Sequence, residues 1–241
     1  MAYLRRIVLK PDSPRRGYPW DIPAVADLRR GLAIPAGVSF FVGENGSGKS
    51  TLIEAIAMAW GFNAEGGTRS IRHSSYASES ALVDHLVLER EPRRPRGGFF
   101  LRAETMHGLF TELETMEYAD LRPYGGESLH TRSHGESFLR VLQHRFSAPG
   151  LYLMDEPEAA LSFRSTLTLI AMLDQMAREG SQVLIATHSP VLAALPGAAI
   201  FELGELGARS VAWEQLELVQ AWRRYLTQPE SYLRHLLASD D

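Results

Sequence analysis

Short, nearly unbroken apolar runs alternate along this chain with stretches in which apolar positions recur every three or four residues. Residues 38–42, Val-Ser-Phe-Phe-Val, are β-branched and aromatic, which predicts a short buried strand. The same reading predicts strands over 4–9, 81–90, 99–103, 150–154, 182–186 and 198–203. Leu52, Ile53, Ile56, Ala57 and Trp60 fall on one helical face and predict a helix over 51–60. Further helices are predicted over 105–118, 136–146, 163–178, 214–225 and 229–237. Between them lie a Pro-rich loop at 11–23, a polar irregular stretch at 63–79, a basic turn at 92–98 and a Gly-rich stretch at 124–135. Strands alternating with helices predict an α/β fold with a mostly parallel central sheet.

Composition narrows this picture. The chain has 241 residues, 45% of them apolar, enough to bury a sizeable core. A formal net charge of −4 excludes a wholesale basic nucleic-acid binder, although the front of the chain is net basic and the rest net acidic. With no cysteine, disulfides, zinc–thiolate sites and iron–sulfur clusters are excluded. No apolar run approaches the length of a membrane span, and the charged first ten residues do not read as a signal peptide. A soluble cytoplasmic protein is the expectation. Lys10 and Lys49 are the only lysines among many arginines, so position 49 keeps a compact ammonium where most basic positions carry a guanidinium.

Position 49 lies in a motif. Gly43-Glu44-Asn45-Gly46-Ser47-Gly48-Lys49-Ser50 is a complete P-loop between the predicted strand 38–42 and the predicted helix 51–60. Its glycines let backbone N–H groups turn inward to cradle phosphates, and the following helix adds its positive N-terminal end. Lys49 is then expected to reach the β- and γ-phosphates, Ser50 to ligate Mg2+ and Thr51 to reach the α-phosphate. Downstream, the apolar strand 150–154 runs into Asp155 and Glu156. One carboxylate can hold the metal through its water shell while the next polarises the attacking water, the pairing that phosphoryl transfer requires. Thr187-His188-Ser189 follows another strand and places a His where it can bond a γ-phosphate. Ser133-His134-Gly135-Glu136-Ser137 opens a helix; Ser133 and Glu136 fit a capping box, and the sharper alternative is a second phosphate site, a helix N-terminus where a Gly permits close backbone approach beside a Ser hydroxyl. One chain has one P-loop, so on that reading the second site is expected to serve a nucleotide held by a partner chain.

The order of these motifs resembles the ABC-type P-loop ATPase domain over about residues 36–204. More narrowly, the runs around Gly43, Ser133, Asp155 and His188 resemble small stand-alone bacterial ATPases on the repair and chromosome-maintenance side of that family. The resemblance implies one domain over 1–241, with about 80–148 forming a signature-containing helical subregion beside an antiparallel β portion. It implies ATP and Mg2+ as cofactors, Glu156, His188 and Lys49 as catalytic groups, and a homodimer formed on ATP binding. In that arrangement Ser133, His134, Gly135 and Glu136 act in trans, and Glu158-Ala159-Ala160-Leu161-Ser162 occupies the segment that crosses the interface.

Three departures from the family pattern stand in the sequence. The signature has Glu136 in place of Gln. No Gln follows the strand 99–103, where Glu104 is the nearest candidate for contacting the metal or its water. The adenine-stacking aromatic is either Tyr18 or Trp20. Arg90, Arg93, Arg94 and Arg96 around the basic turn are candidates for nucleic-acid phosphates, beside the bland reading of a solvated turn. Three functions compete: an ATP-driven switch acting on nucleic acid or a partner protein, the ATP-binding subunit of an ABC transporter, and a low-turnover nucleotide-sensing module. The altered signature and the missing Gln weigh against the second, and an intact Glu156 weighs against the third.

Overall fold

The computed structural model describes residues 2–63, 80–103, 134–146 and 148–237. A six-stranded sheet forms the centre. Its strands are β3 (Val38–Val42), β5 (Gly97–Arg102), β6 (Gly150–Asp155), β7 (Gln182–Thr187), β8 (Ala199–Gly204) and β9 (Gly207–Ser210), in the order β5-β6-β7-β3-β8-β9. The first five pair in parallel, and β9 returns antiparallel against β8. A smaller antiparallel sheet, β2-β1-β4, is built from β1 (Leu4–Leu9), β2 (Leu32–Ala33) and β4 (Leu86–Arg90).

The apolar runs are long because both faces of the parallel sheet are covered. Phe41, Leu151, Leu153, Leu184 and Phe201 point to one side, where α2 (Lys49–Trp60) and β1 pack. Phe40, Val42, Tyr152, Met154, Val183 and Ile185 point to the other. There they meet α4 (His134–Arg145), α5 (Phe163–Arg178) and the start of α6 (Glu217–Thr227). Two short helices, α1 (Pro23–Asp27) and α3 (Ser80–His85), and a terminal helix α7 (Pro229–Leu237) complete the described elements.

The predicted parallel sheet and its antiparallel portion are present, and strands 4–9 and 38–42 and helices 163–178 and 229–237 have the expected bounds. The predicted strand over 81–90 needs correction. Residues Ser80–His85 are helical and only Leu86–Arg90 is a strand, because Leu82 and Leu86 both turn into the core beneath α2, a helical spacing. The hairpin strand β9 and the short elements α1 and β2 were not expected. The predicted helix 105–118 lies outside the described residues.

One buried amide joins the two sheets. Gln182, at the start of β7, is fully buried. Its Oε1 accepts the N–H groups of Tyr3 (2.7 Å) and Leu4 (2.8 Å), and its Nε2 donates to the carbonyls of Leu4 (2.8 Å) and Pro35 (2.9 Å). Gln182→Leu leaves four backbone groups unsatisfied and is expected to cost about 2–5 kcal/mol, since each buried orphan carries a desolvation penalty. A lowered urea midpoint at unchanged slope checks this.

Candidate functional site

The P-loop, the Asp155-Glu156 pair and Thr187-His188-Ser189 each follow a parallel strand and so lie at the carboxyl edge of the sheet. Register puts them at one level: Val42 pairs with Thr187, Asp155 with Ala186, and Arg102 with Asp155. Crevices outside the carboxyl ends of parallel strands are where such folds bind ligands.

The loop after β3 explains its glycines. Gly48 has φ +92°, and a Cβ there would meet Ile22 Cγ2 at 2.5 Å. A Cβ on Gly43 would strike the Leu203 carbonyl at 2.4 Å. Lys49 opens α2, is 3% exposed, and donates from Nζ to the Glu44 carbonyl at 2.9 Å across the loop. Burial lowers its pKa below the ordinary lysine value; the Glu156, Asp155 and Glu158 carboxylates act in the opposite sense but do not reverse it. The Ser47 hydroxyl inside the loop is buried without a hydrogen-bond partner among the described residues, as a donor waiting for a phosphate oxygen would be.

The Ser50 hydroxyl donates to Asp155 Oδ1 at 3.0 Å, which joins the two oxygen ligands expected for a hard divalent cation. Glu156 is the one non-glycine residue with positive φ (48°) among the described residues. Its N–H is tied to the Ala186 carbonyl at 2.9 Å, and that bond holds the unfavourable backbone in place. The turned backbone sends the Glu156 carboxylate across the strand ends to His188, where Oε1 stands 2.9 Å from Nε2, close but not aligned as a hydrogen bond.

Of the two candidate aromatics, Tyr18 is 67% exposed, and its hydroxyl lies 3.3 Å from Thr51 Oγ1 beside the loop. Trp20 is corrected. It is 7% exposed and packed edge-on to His85 within the core, so its ring is not open to stack on a base. Arg90 is also reassigned: it donates to the Ala59 carbonyl at 2.9 Å and lies 4.2 Å over the Trp60 ring, closing the end of α2. Arg93, Arg94 and Arg96 are exposed. Glu104 and Ser133 lie outside the described residues; His134, Gly135 and Glu136 form the first turn of α4, as a backbone.

Sequence reading missed two sets of contacts and a cleft. Arg102, the last residue of β5, pairs with Glu54 of α2 at 2.6 Å in a largely buried contact. Glu158 accepts from the Thr187 hydroxyl and from the His188 N–H. A cleft of about 970 Å3 also opens on the β8 side of the loop, between Glu44, His188, Leu206 and the α6 residues Ala221 and Arg224. No local pattern announced these, because each joins residues distant in sequence; the second Glu of Asp-Glu-Pro-Glu was the nearest signal.

Known proteins point the same way. Residues 30–89 match a family model described as "AAA domain", and residues 137–194 match one described as "AAA domain, putative AbiEii toxin, Type IV TA system". The hemin import ATP-binding protein HmuV of Streptomyces coelicolor is 29% identical over 171 residues, 64% of this chain and 60% of that protein. HmuV of Nitrobacter winogradskyi is 28% identical over 176 residues, covering 63% of each. The chain thus spans about three fifths of the length of the curated relatives it matches. In fold it is similar to cbiO1 from Clostridium perfringens, part of the ABC transporter complex cbiONQ. The TM-score is 0.50 at 16% identity, covering 99% of this chain and 100% of that one.

Proposed function

We propose that this chain, whose sequence and fold are those of AAA/ABC-type P-loop ATPase domains, binds ATP with Mg2+ and hydrolyses it between two copies of itself. Members of that class are ATP-hydrolysing enzymes. The observation that carries the reading is the convergence of Lys49, the Ser50–Asp155 pair and the Glu156–His188 pair on one sheet edge.

The residues fit a magnesium nucleotide. Side chains at Gly43 and Gly48 would collide with Leu203 and Ile22, the Ser47 hydroxyl has no hydrogen-bond partner among the described residues, and Ser50 and Asp155 are hard oxygen donors. Ser50 and Asp155 would hold Mg2+, which neutralises charge on the phosphate oxygens when bound. Lys49 exchanges the Glu44 carbonyl for β- and γ-phosphate oxygens. Glu156 takes the proton of the water that attacks the γ-phosphorus, and the bond to the β–γ bridging oxygen breaks, releasing ADP and phosphate. His188 orients the Glu156 carboxylate and stands at the γ-phosphate side. Tyr18 is the aromatic that meets the base.

Completion of the site by the partner's residues 133–136 accounts for a second phosphate-binding helix start in a chain with one P-loop. Dimerisation on ATP, followed by parting after hydrolysis, is then the working cycle of a cytoplasmic switch whose output goes to a partner protein or to nucleic acid. Light scattering of Glu156→Gln with ATP tests it: a monomer under those conditions removes the sandwich. The curated relatives favour a second reading, the ATP-binding subunit of an importer. Among the described residues no helix is long and apolar enough to cross a membrane; on that reading a permease supplies the membrane spans. Co-purification of the chain with membranes and such a permease would support it.

The lowered pKa of Lys49 gives a pH signature. The buried ammonium loses its proton more easily than an ordinary lysine, and bound phosphates reverse this by favouring the charged form. ATP binding is therefore expected to take up a proton at alkaline pH, and affinity to fall as pH rises through the lowered pKa. Calorimetry in two buffers of different ionisation enthalpy reads the uptake. Lys49→Arg, which stays charged, should abolish it.

A further inference from the structure

We propose that Glu158 is the positioning residue for His188, a bracket that sets where the imidazole stands relative to Glu156. The role of that geometry in catalysis rests on the hydrolytic reading above. Glu158 lies in the 3-10 turn Pro157–Ala160, two residues past Glu156. Its Oε1 accepts the Thr187 hydroxyl at 2.6 Å and the His188 backbone N–H at 2.6 Å. His188 is the first residue past β7, where the sheet ladder ends; Glu158 takes its N–H instead. Thr187 Oγ1 in turn accepts the Ser189 N–H at 3.0 Å, and Ser189 Oγ accepts the Leu192 N–H at 3.1 Å. One carboxylate oxygen thus anchors the whole segment leaving β7.

The bracket is closed on its other side. The Glu156 N–H bonds the Ala186 carbonyl at 2.9 Å, so the chain after β6 is joined both to the end of β7 and to the residue beyond it. One joint lies before His188 and the other at it. Between these joints the Glu156 and His188 side chains meet at 2.9 Å. Without the second joint, the residue bearing the imidazole hangs from one strand end only. Charge-assisted bonds of this length are short and strong, and they restrict the backbone more than a neutral acceptor does. The placement is costly: Glu158 Oε2 is buried with no hydrogen-bond partner among the described residues. Cost at a place that sheet packing does not require indicates a positional task.

The test uses the full chain. Glu158→Ala is expected to lower kcat for ATP by about 10- to 100-fold with KM changed less than about twofold, as misplacement of a reacting group does when substrate contacts persist. Without ATP, the His188 imidazole 15N resonances, assigned with His188→Gln, should move in Glu158→Ala. Glu158→Gln keeps an oxygen that accepts both bonds, and it should restore those resonances and most of kcat. Thr187→Val removes one of the two donors and should move the imidazole signals in the same direction by less. Unmoved imidazole resonances in Glu158→Ala and Thr187→Val overturn the bracket; so does equal loss in the Gln and Ala variants. The spectra need no turnover. A wild type without ATP hydrolysis would sink the hydrolytic reading, while the resonance shifts would still decide the bracket.

Discussion

Lys49→Ala is expected to weaken ATP binding by roughly 30-fold to several thousand-fold, the range that follows from losing about 2–5 kcal/mol when a buried charge pair is truncated. The ammonium is held ready. Nζ reaches across the loop to the Glu44 carbonyl, so little ordering remains to be done when phosphates arrive. The side chain is nearly inaccessible to water, so its interaction with phosphate is poorly screened. Its desolvation cost is already borne by the fold, as the lowered pKa shows. Removing it takes away the ammonium that offsets the nearby Glu156, Asp155 and Glu158 carboxylates, and so raises their repulsion of bound phosphates. Calorimetric titration with ATP and Mg2+ is the measurement. Unchanged affinity would overturn the assignment of the loop, whatever the rest of the site does.

The second large effect is on turnover. Glu156→Gln is expected to lower kcat by at least about a hundredfold, since a positioned general base contributes on that order or more. ATP affinity should change little, because binding rests on the loop and Lys49. The substitution keeps the size and one oxygen of the side chain, so the approach to His188 survives while the capacity to take a proton is lost. ATP then persists in the site, and the composite dimer should accumulate at twice the monomer mass in light scattering with ATP, and not with ADP. Loss of turnover without dimer would retain Glu156 as the base and remove the sandwich. Retained turnover would remove Glu156 from its role. The molecules that co-purify with the trapped dimer would identify the output partner.

The site divides by how its parts are spaced along the chain. The P-loop was legible because its chemistry is local: a strand, a glycine turn and a helix start within one run, each residue type demanded by a neighbour. Asp155 and Glu156 were legible as the polar end of an apolar strand. Hydropathy alternation also located most elements, since burial on both faces leaves the parallel strands almost wholly apolar. Residues 81–90 were misread because Leu82, Leu86 and Leu88 suit either period, and the switch from helix to strand depends on the packing of α2 above them.

What sequence alone determined, then, is the set of groups: a glycine-rich loop, an ammonium, a hydroxyl, two consecutive carboxylates and a histidine, on an α/β frame. Which aromatic faces the loop was decided by tertiary structure, because Tyr18 and Trp20 are two residues apart and only packing against His85 removes one of them. The Gln182 link between sheets, the Arg102–Glu54 pair and the Glu158 bracket were likewise decided there. The reason is physical. Sequence patterns report interactions among near neighbours and the average demand for burial. The partner of a buried polar group is chosen by whichever unsatisfied donor or acceptor the folded chain brings within about 3 Å, and that choice exists only after folding.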